Sequence, residues 1–492
     1  MSFTTISFLV FVAVALIIYY IVPGKCQWLV LLMASGIFYC VYDWKSVFFI
    51  IISSISVYIS ARIIDKVETK GKKQLWLILG VGVNLIILLC MKYSGFLAKI
   101  PFIGYPFQAW SQSIIKPINL IIPLGISFYT LALLGYLIDV YRGKYKAENN
   151  LGYILLFTSY FPHILQGPIA RYNTFTFQFR ERKKIRFSYD RFKNAVQLVT
   201  WGYMKKLIIA DRAAIFVDAV YQDCYGKEGT TLFVASILYS IQIYADFSGC
   251  VDIALGVSEL FGISLMDNFK QPYFSNSIND FWKRWHISLS SWFRDYLYIP
   301  LGGNRKGTFR RWLNVLIVFV VSGFWHGAGW NYIVWGSLHG IYQIIGYWLK
   351  PLKDRVYQLT NLDHSGILGL GKIIMTFLLV NFAWIFFRLT NLRQAMYVVK
   401  TILLHWSLWD LLDGSLYQYG LSAKGLGLLF VFIIILAIVD YLHWKGIHIR
   451  EIISKQILPV RWFIYITAFF SIVILGIYGI GYDANAFIYM QF

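Results

Sequence analysis

The chain has 492 residues, of which 58% are hydrophobic, 19% aromatic and only 14% charged, with a formal net charge of +21. That composition is too apolar for a soluble globular protein. The basic excess, which on a soluble chain would suggest nucleic acid, first reports orientation in a membrane chain, because Lys and Arg stay on the cytoplasmic side. A spanning β-barrel would alternate apolar and polar positions. No such run occurs, so the expected fold is an all-α polytopic membrane protein with no nucleic-acid partner.

The opening "MSFTTISFLVFVAVALIIYY" lacks a basic n-region and a small-residue cleavage site, and reads as a retained first span. A helical span takes about 20 apolar residues. Suitable stretches recur at about 4–22, 27–42, 46–61, 74–91, 119–141, 194–218, 229–249, 312–328, 331–349, 371–389, 425–443 and 461–481. No internal repeat or low-complexity linker divides them, so residues 1–492 are read as one membrane domain. The basic clusters Arg62–Lys73, Arg142–Lys146, Arg171–Lys193, Lys270–Arg311 and Lys445–Arg461 can all be cytoplasmic with this set of spans. Both termini then fall on the opposite face.

Two stretches resist simple spanning. Residues 151–172, "LGYILLFTSYFPHILQGPIARY", are apolar but carry basic flanks and are broken by Pro162 and Pro168. A re-entrant or in-plane element suits them, since broken backbone at membrane depth must be buried in protein or line a cavity. Residues 268–307 mix Trp and Tyr with Arg and Lys, the composition of a membrane interface, and are expected as short helices at the cytoplasmic boundary.

Candidate chemistry gathers in the second half. His286 stands in "FWKRWHISLS", His326 in "VSGFWHGAGW" and His339 in "WGSLHG". An ionisable residue in an apolar span marks function by default. Gly323, Gly327 and Gly329 allow close backbone approach around His326. Histidine suits general-base work on a hydroxyl; the plainer alternative is a packing histidine bonded to a carbonyl. Lys283, Arg284 and Arg294 could clamp an anionic donor, or merely anchor the chain at the interface. Asp139, Asp246 and Asp252 are read as structural partners of arginines or backbone, although a proton-coupled transporter would also want such acids. The five cysteines include no CxxC pair and read as small buried hydrophobes. Neither H-E-x-x-H, a P-loop nor G-x-S-x-G is present, so no metal site is expected.

The stretches "PLGISFYT" (123–130), "FPHILQGPI" (161–169), "YADFSGCVDIALG" (244–256), "FWKRWHISLSSWFRDYLYIPLGGNR" (281–305) and "GFWHGAGWNYIVWGSLHG" (323–340) together resemble the membrane-bound O-acyltransferase family. The resemblance is to the bacterial branch that acts in alginate and peptidoglycan O-acetylation and teichoic acid D-alanylation. It implies a ring of about 11–12 helices around a funnel, placed in the bacterial cytoplasmic membrane. His326 corresponds to the family's near-invariant histidine and His286 to the second histidine of this branch. The resemblance further implies an acyl thioester, acetyl-coenzyme A or an acyl carrier protein, as a cytoplasmic substrate with no bound cofactor. An extracytoplasmic acyltransferase partner, membrane lipids and a surface polymer complete the expected set. "YIPLGGNRKG" tilts the acyl group toward acetyl, with D-alanyl transfer from a carrier protein as the alternative. Outside the enzyme class, a polysaccharide or lipid transporter would want inverted repeats, which are not detected.

The last ten residues, "DANAFIYMQF", hold a single hydroxyl, Tyr489, between Phe487 and Phe492. This pattern resembles the terminal motif of the small membrane protein that works beside the D-alanyl transferase, in which the tyrosine is implicated as an acyl carrier. It implies that Phe487 and Phe492 dock the tail while Tyr489 carries the acyl group onward. An interfacial aromatic anchor is the plainer reading.

Overall fold

In hydrocarbon every backbone N–H and C=O must be matched within the chain, and an unbroken apolar run achieves this only as a helix. The computed structural model, which describes residues 2–94, 122–180, 184–352, 355 and 366–478, has a helix in each of the twelve expected stretches and no strand among the described residues. Seven described helical segments are long and apolar enough to cross a membrane: Gly24–Asp43, Ser46–Lys66, Lys70–Lys92, Gly229–Leu260, Gly366–Arg388, Ala423–Trp444 and Leu458–Leu475. The chain is an all-α polytopic membrane protein, in two compact units.

The first unit comprises Met1–Val199 and Ile253–Met266. It holds α1 (Ile6–Ile21), α2 (Gln27–Asp43), α3 (Ser46–Lys66), α4 (Lys70–Lys92) and α5 (Ile126–Tyr141), followed by three short helices, α6 (Leu151–Ser159), α7 (Phe161–Ile164) and α8 (Tyr172–Arg180). The broken stretch is therefore neither a span nor a lipid-facing helix. Every residue from 156 to 170 is buried, as broken backbone in an apolar setting requires. Its polar backbone finds partners nearby: Ser35 Oγ accepts from the Phe161 amide at 3.1 Å. Gly125, at φ +66°, lets the chain pass within reach of Ile164, whose carbonyl oxygen would lie 2.3 Å from any Cβ placed there.

The second unit comprises Thr200–Asp252 and Asp267–Phe492. The second unit takes up helix α9 (Tyr189–Tyr203) at Thr200, and the chain continues into a π-helical segment, Met204–Ala210, and then α10 (Asp211–Gln222). Next come α11 (Gly229–Leu260), the short α12 (Ile278–Arg284) and α13 (Ile287–Phe293), a π-helical segment at Arg294–Tyr298, and the hairpin α14 (Thr308–His326) and α15 (Trp330–Trp348). The unit closes with α16 (Gly366–Arg388), α17 (Leu392–Leu404), α18 (Ala423–Trp444), α19 (Ile449–Ser454) and α20 (Leu458–Leu475). Residues 268–307 thus do form short helices.

The wide turns of Met204–Ala210 place two buried lysines against α11. Lys205 Nζ meets Asp252 at 2.6 Å and Ser248 Oγ at 3.0 Å. Lys206 Nζ lies 2.7 Å from Asp246 and 2.8 Å from Asp211. Asp139 in the first unit pairs with Lys144 at 2.8 Å. The three intramembrane acids are partnered as expected, by lysines rather than arginines. Tyr244 of α11 also donates to Asp440 of α18 at 2.7 Å.

Removing one member of a buried pair leaves an uncompensated charge, which costs about 3–5 kcal/mol. Lys206→Met should therefore lower the thermal unfolding temperature of the detergent-solubilised protein markedly. Lys206→Met combined with Asp246→Leu should recover part of the loss. Equal stability of Lys206→Met and the parent chain would show that the pair does not hold α11 to the π-helical turn.

Candidate functional site

The site lies in the second unit and begins with a close helix contact. At Gly323 of α14 a Cβ would sit 2.2 Å from the Tyr332 carbonyl oxygen, and at Gly336 of α15 it would sit 2.2 Å from that of Phe319. Only glycine lets these two backbones approach so closely. The reversal between the helices runs through Gly327 and Gly329, whose φ values of −167° and −151° are extended and unstrained. Gly327 is needed for space: its Cβ would overlap the Tyr332 ring at 2.1 Å.

This hairpin fixes His326, the last residue of α14, in an aromatic enclosure. Its ring centroid is 4.8 Å from that of Trp325, 5.1 Å from Trp335 and 5.3 Å from Phe387. Trp335 is itself stacked on Trp384 at 5.6 Å. Burial among these rings lowers the local dielectric, which strengthens polar contacts there.

His286 reaches the same place from the break between α12 and α13. Its ring is fully buried, 4.9 Å from Phe247 and 6.5 Å from His326 by centroids. The backbone at His286 is left-handed, φ +46° and ψ +54°, a conformation costing a side-chain-bearing residue about 1–2 kcal/mol. The surrounding structure imposes it. Asn268 O accepts from the Ile287 amide at 3.0 Å, and Arg284 O accepts from the Lys270 amide at 2.9 Å. His286 lies outside the spanning helices, and burial lowers its pKa to about 3, so the imidazole is neutral at physiological pH.

His339 is also buried beside Trp335, with ring centroids 5.2 Å apart, but its chemistry differs. The Trp282 indole Nε1–H donates to His339 Nδ1 at 3.2 Å. In a neutral imidazole only one nitrogen carries a lone pair in the ring plane. Trp282 uses it, so His339 is a packing histidine with no base to offer.

The structure therefore brings His286 and His326 together and assigns His339 to the core. Of the basic candidates, Lys283 is exposed, Arg284 pairs with Asp280 at 3.0 Å and Arg294 with its neighbour Asp295 at 2.9 Å. Phe487, Tyr489 and Phe492 lie outside the described residues. Among the described residues no three of His, Cys, Asp and Glu gather as metal ligands. Sequence reasoning missed Asn268 and Trp282, the side chains that face Nδ1 of His286 and of His339. In the first unit it passed over Gln166, whose buried amide meets no hydrogen-bond partner among the described residues.

Residues 142–392 match the model of the MBOAT, membrane-bound O-acyltransferase family. The probable alginate O-acetylase of Pseudomonas putida is 37% identical over 404 residues, spanning 80% of this chain and 79% of that protein. The peptidoglycan O-acetyltransferase of Helicobacter pylori is 34% identical over 398 residues, 76% of this chain and 72% of that protein. The teichoic acid D-alanyltransferase of Bacillus subtilis is 31% identical over 273 residues, 52% of this chain and 67% of that protein.

The left-handed backbone gives a stability test that does not require an assay. His286→Gly removes the ring and relieves the φ penalty, whereas His286→Ala removes the ring and keeps it. The glycine variant should be the more stable of the two by about 1 kcal/mol in thermal unfolding. The opposite order would mean that the backbone at His286 is not held left-handed.

Proposed function

The chain belongs to the membrane-bound O-acyltransferase family, and on that premise we propose that it passes an acetyl group from a cytoplasmic thioester across the membrane toward a cell-surface polysaccharide or cell-wall polymer. The observation that carries the reading is the pair His286 and His326, 6.5 Å apart between ring centroids in an aromatic enclosure. Acyl transfer needs an acceptor oxygen to lose its proton as it attacks the thioester carbonyl. His326 takes that proton. The new ester C–O bond forms, the C–S bond breaks, and the proton passes to the departing thiolate. His286, neutral and fixed, is the second polar side chain of the same enclosure. The names of the relatives with the broadest coverage favour acetyl; the shorter match to a D-alanyltransferase keeps D-alanyl transfer as the second reading.

The thioester carrier is charged and cannot cross the bilayer, so donor and acceptor approach from opposite faces. The stretch around Lys283, Arg284 and Arg294 offers the donor's phosphates charge-assisted contacts that weaken with salt. The acceptor in this reading is Tyr489, seated by Phe487 and Phe492. A phenol with a pKa of about 10 is within reach of histidine-assisted deprotonation, and the aryl ester stays activated for transfer to an extracytoplasmic partner enzyme.

His326→Ala should lower transfer from labelled acetyl-coenzyme A or an acylated carrier protein by about 10²–10⁴-fold, in a variant that is still folded. Near-parental transfer by the folded variant would remove His326 from the mechanism. Tyr489→Phe keeps an aromatic anchor and deletes the hydroxyl. It should abolish polymer acylation in cells, and mass spectrometry of the parent's C-terminal peptide after donor incubation should find the acyl adduct. Unchanged polymer acylation in Tyr489→Phe would reduce the tail to an anchor.

A further inference from the structure

Three groups converge on one atom beside His286. Asn268 Oδ1 accepts from the Ser288 amide at 3.0 Å and from Ser288 Oγ at 2.9 Å, and lies 3.3 Å from His286 Nδ1. A backbone N–H can only donate, so the Ser288 amide identifies this Asn268 atom as the oxygen and fixes the orientation of the carboxamide. An amide oxygen can only accept. The His286 nitrogen facing it must therefore carry the hydrogen, because two lone pairs at this distance would repel in a buried site. In the neutral ring the lone pair then belongs to Nε2. This is the reverse of His339, where an indole donor demands a bare Nδ1.

We propose that Asn268 is a positioning residue for acyl transfer: it holds His286 in the Nδ1–H tautomer and presents Nε2 as the ring's acceptor. Asn268 suits the task because both its backbone and its side chain are tied to the element it controls. Its carbonyl accepts from the Ile287 amide, and its side chain takes both donors of Ser288, in the first turn of the helix that His286 begins. Asn268 and Ser288 are both buried. The carboxamide cannot swing away without releasing the start of α13. The left-handed turn at His286 aims the ring back toward Asn268, so the backbone strain has a local purpose.

The proposal rests on His286 working in acyl transfer, and its test separates the two claims. The full chain, labelled with ¹⁵N at its histidine ring nitrogens, is examined in detergent micelles, and the His286 signals are identified by their loss in His286→Gly. The parent should show a hydrogen on Nδ1 and a bare Nε2. Asn268→Leu should lose that preference and slow consumption of labelled acetyl-coenzyme A or acyl carrier by about 10–100-fold, comparable with the loss when the partner of a metal-bound histidine is removed. Asn268→Asp retains an acceptor for Nδ1–H. Its charge favours the imidazolium, so it should keep the tautomer and move the acid limb of the pH–rate profile upward. A residue that only packs would move neither the tautomer nor that limb. A parent carrying its hydrogen on Nε2, or an Asn268→Leu variant with parental tautomer and turnover, would overturn the role of Asn268 alone. Parental turnover in His286→Gly would overturn the role of His286 and with it the catalytic purpose of the clamp.

Discussion

A charge removed from water is costly unless it is matched inside the chain, and in this protein that cost governs where the buried lysines and carboxylates go. An unmatched amide or hydroxyl costs about 1–3 kcal/mol and an unpaired charge several times more. Lys206 is consequently held by two carboxylates, Asp246 and Asp211, rather than one. The broken backbone between 156 and 170 is buried in protein rather than set against lipid. A protein with so few charged residues can place those it keeps only where a partner already waits, so the charged positions trace its internal scaffold.

The same requirement separates three histidines that look alike in sequence. His339 faces the Trp282 indole, a donor, and surrenders its lone pair to it. His286 faces the Asn268 carbonyl oxygen, an acceptor, and must give that oxygen its hydrogen. His326 sits at a helix end where glycines bring two backbones together and aromatic rings surround it. Burial and apolar context, which all three share, say nothing about chemistry. The identity of the atom beside each ring does.

The helices were legible because the signal is length of apolar run, which needs no partner to interpret. All twelve stretches carry helices, whereas α17 was missed: it has only 13 residues, buries Ala395, Val398 and Thr401 on one face and stands between polar turns. The approach of α14 to α15 was half legible. The glycines announced a close contact, but the reversal uses them for room, with extended backbone, and not for left-handed turns. The neighbours of the histidines were not legible. Asn268 is 18 residues from His286 and Trp282 is 57 from His339, and no local periodicity connects such pairs. The lysine partners of Asp246 and Asp252 were hidden for the same reason, since a π-helical turn shifts the facing residues out of the ordinary helical register.

Two histidines in one enclosure invite the assumption that both act as bases, but only His286 has its Nδ1 turned to the Asn268 carboxamide and its backbone held left-handed. A general base works best with a pKa near the operating pH. Burial lowers the His286 pKa to about 3, so the ring stays neutral near neutral pH. Such a ring is a poor sink for a proton but a dependable hydrogen-bond acceptor, because it never switches to the donor form as pH falls within the physiological range. Proton removal asks for a group whose charged form can exist briefly and then be discharged onto the leaving thiolate. In the proposed mechanism the neutral, clamped His286 is a fixed acceptor in the wall of the enclosure, and the proton goes to His326, at the end of its glycine-packed helix. On this division of labour, a mutation that made His286 easier to protonate would harm the reaction even though it made the ring a stronger base.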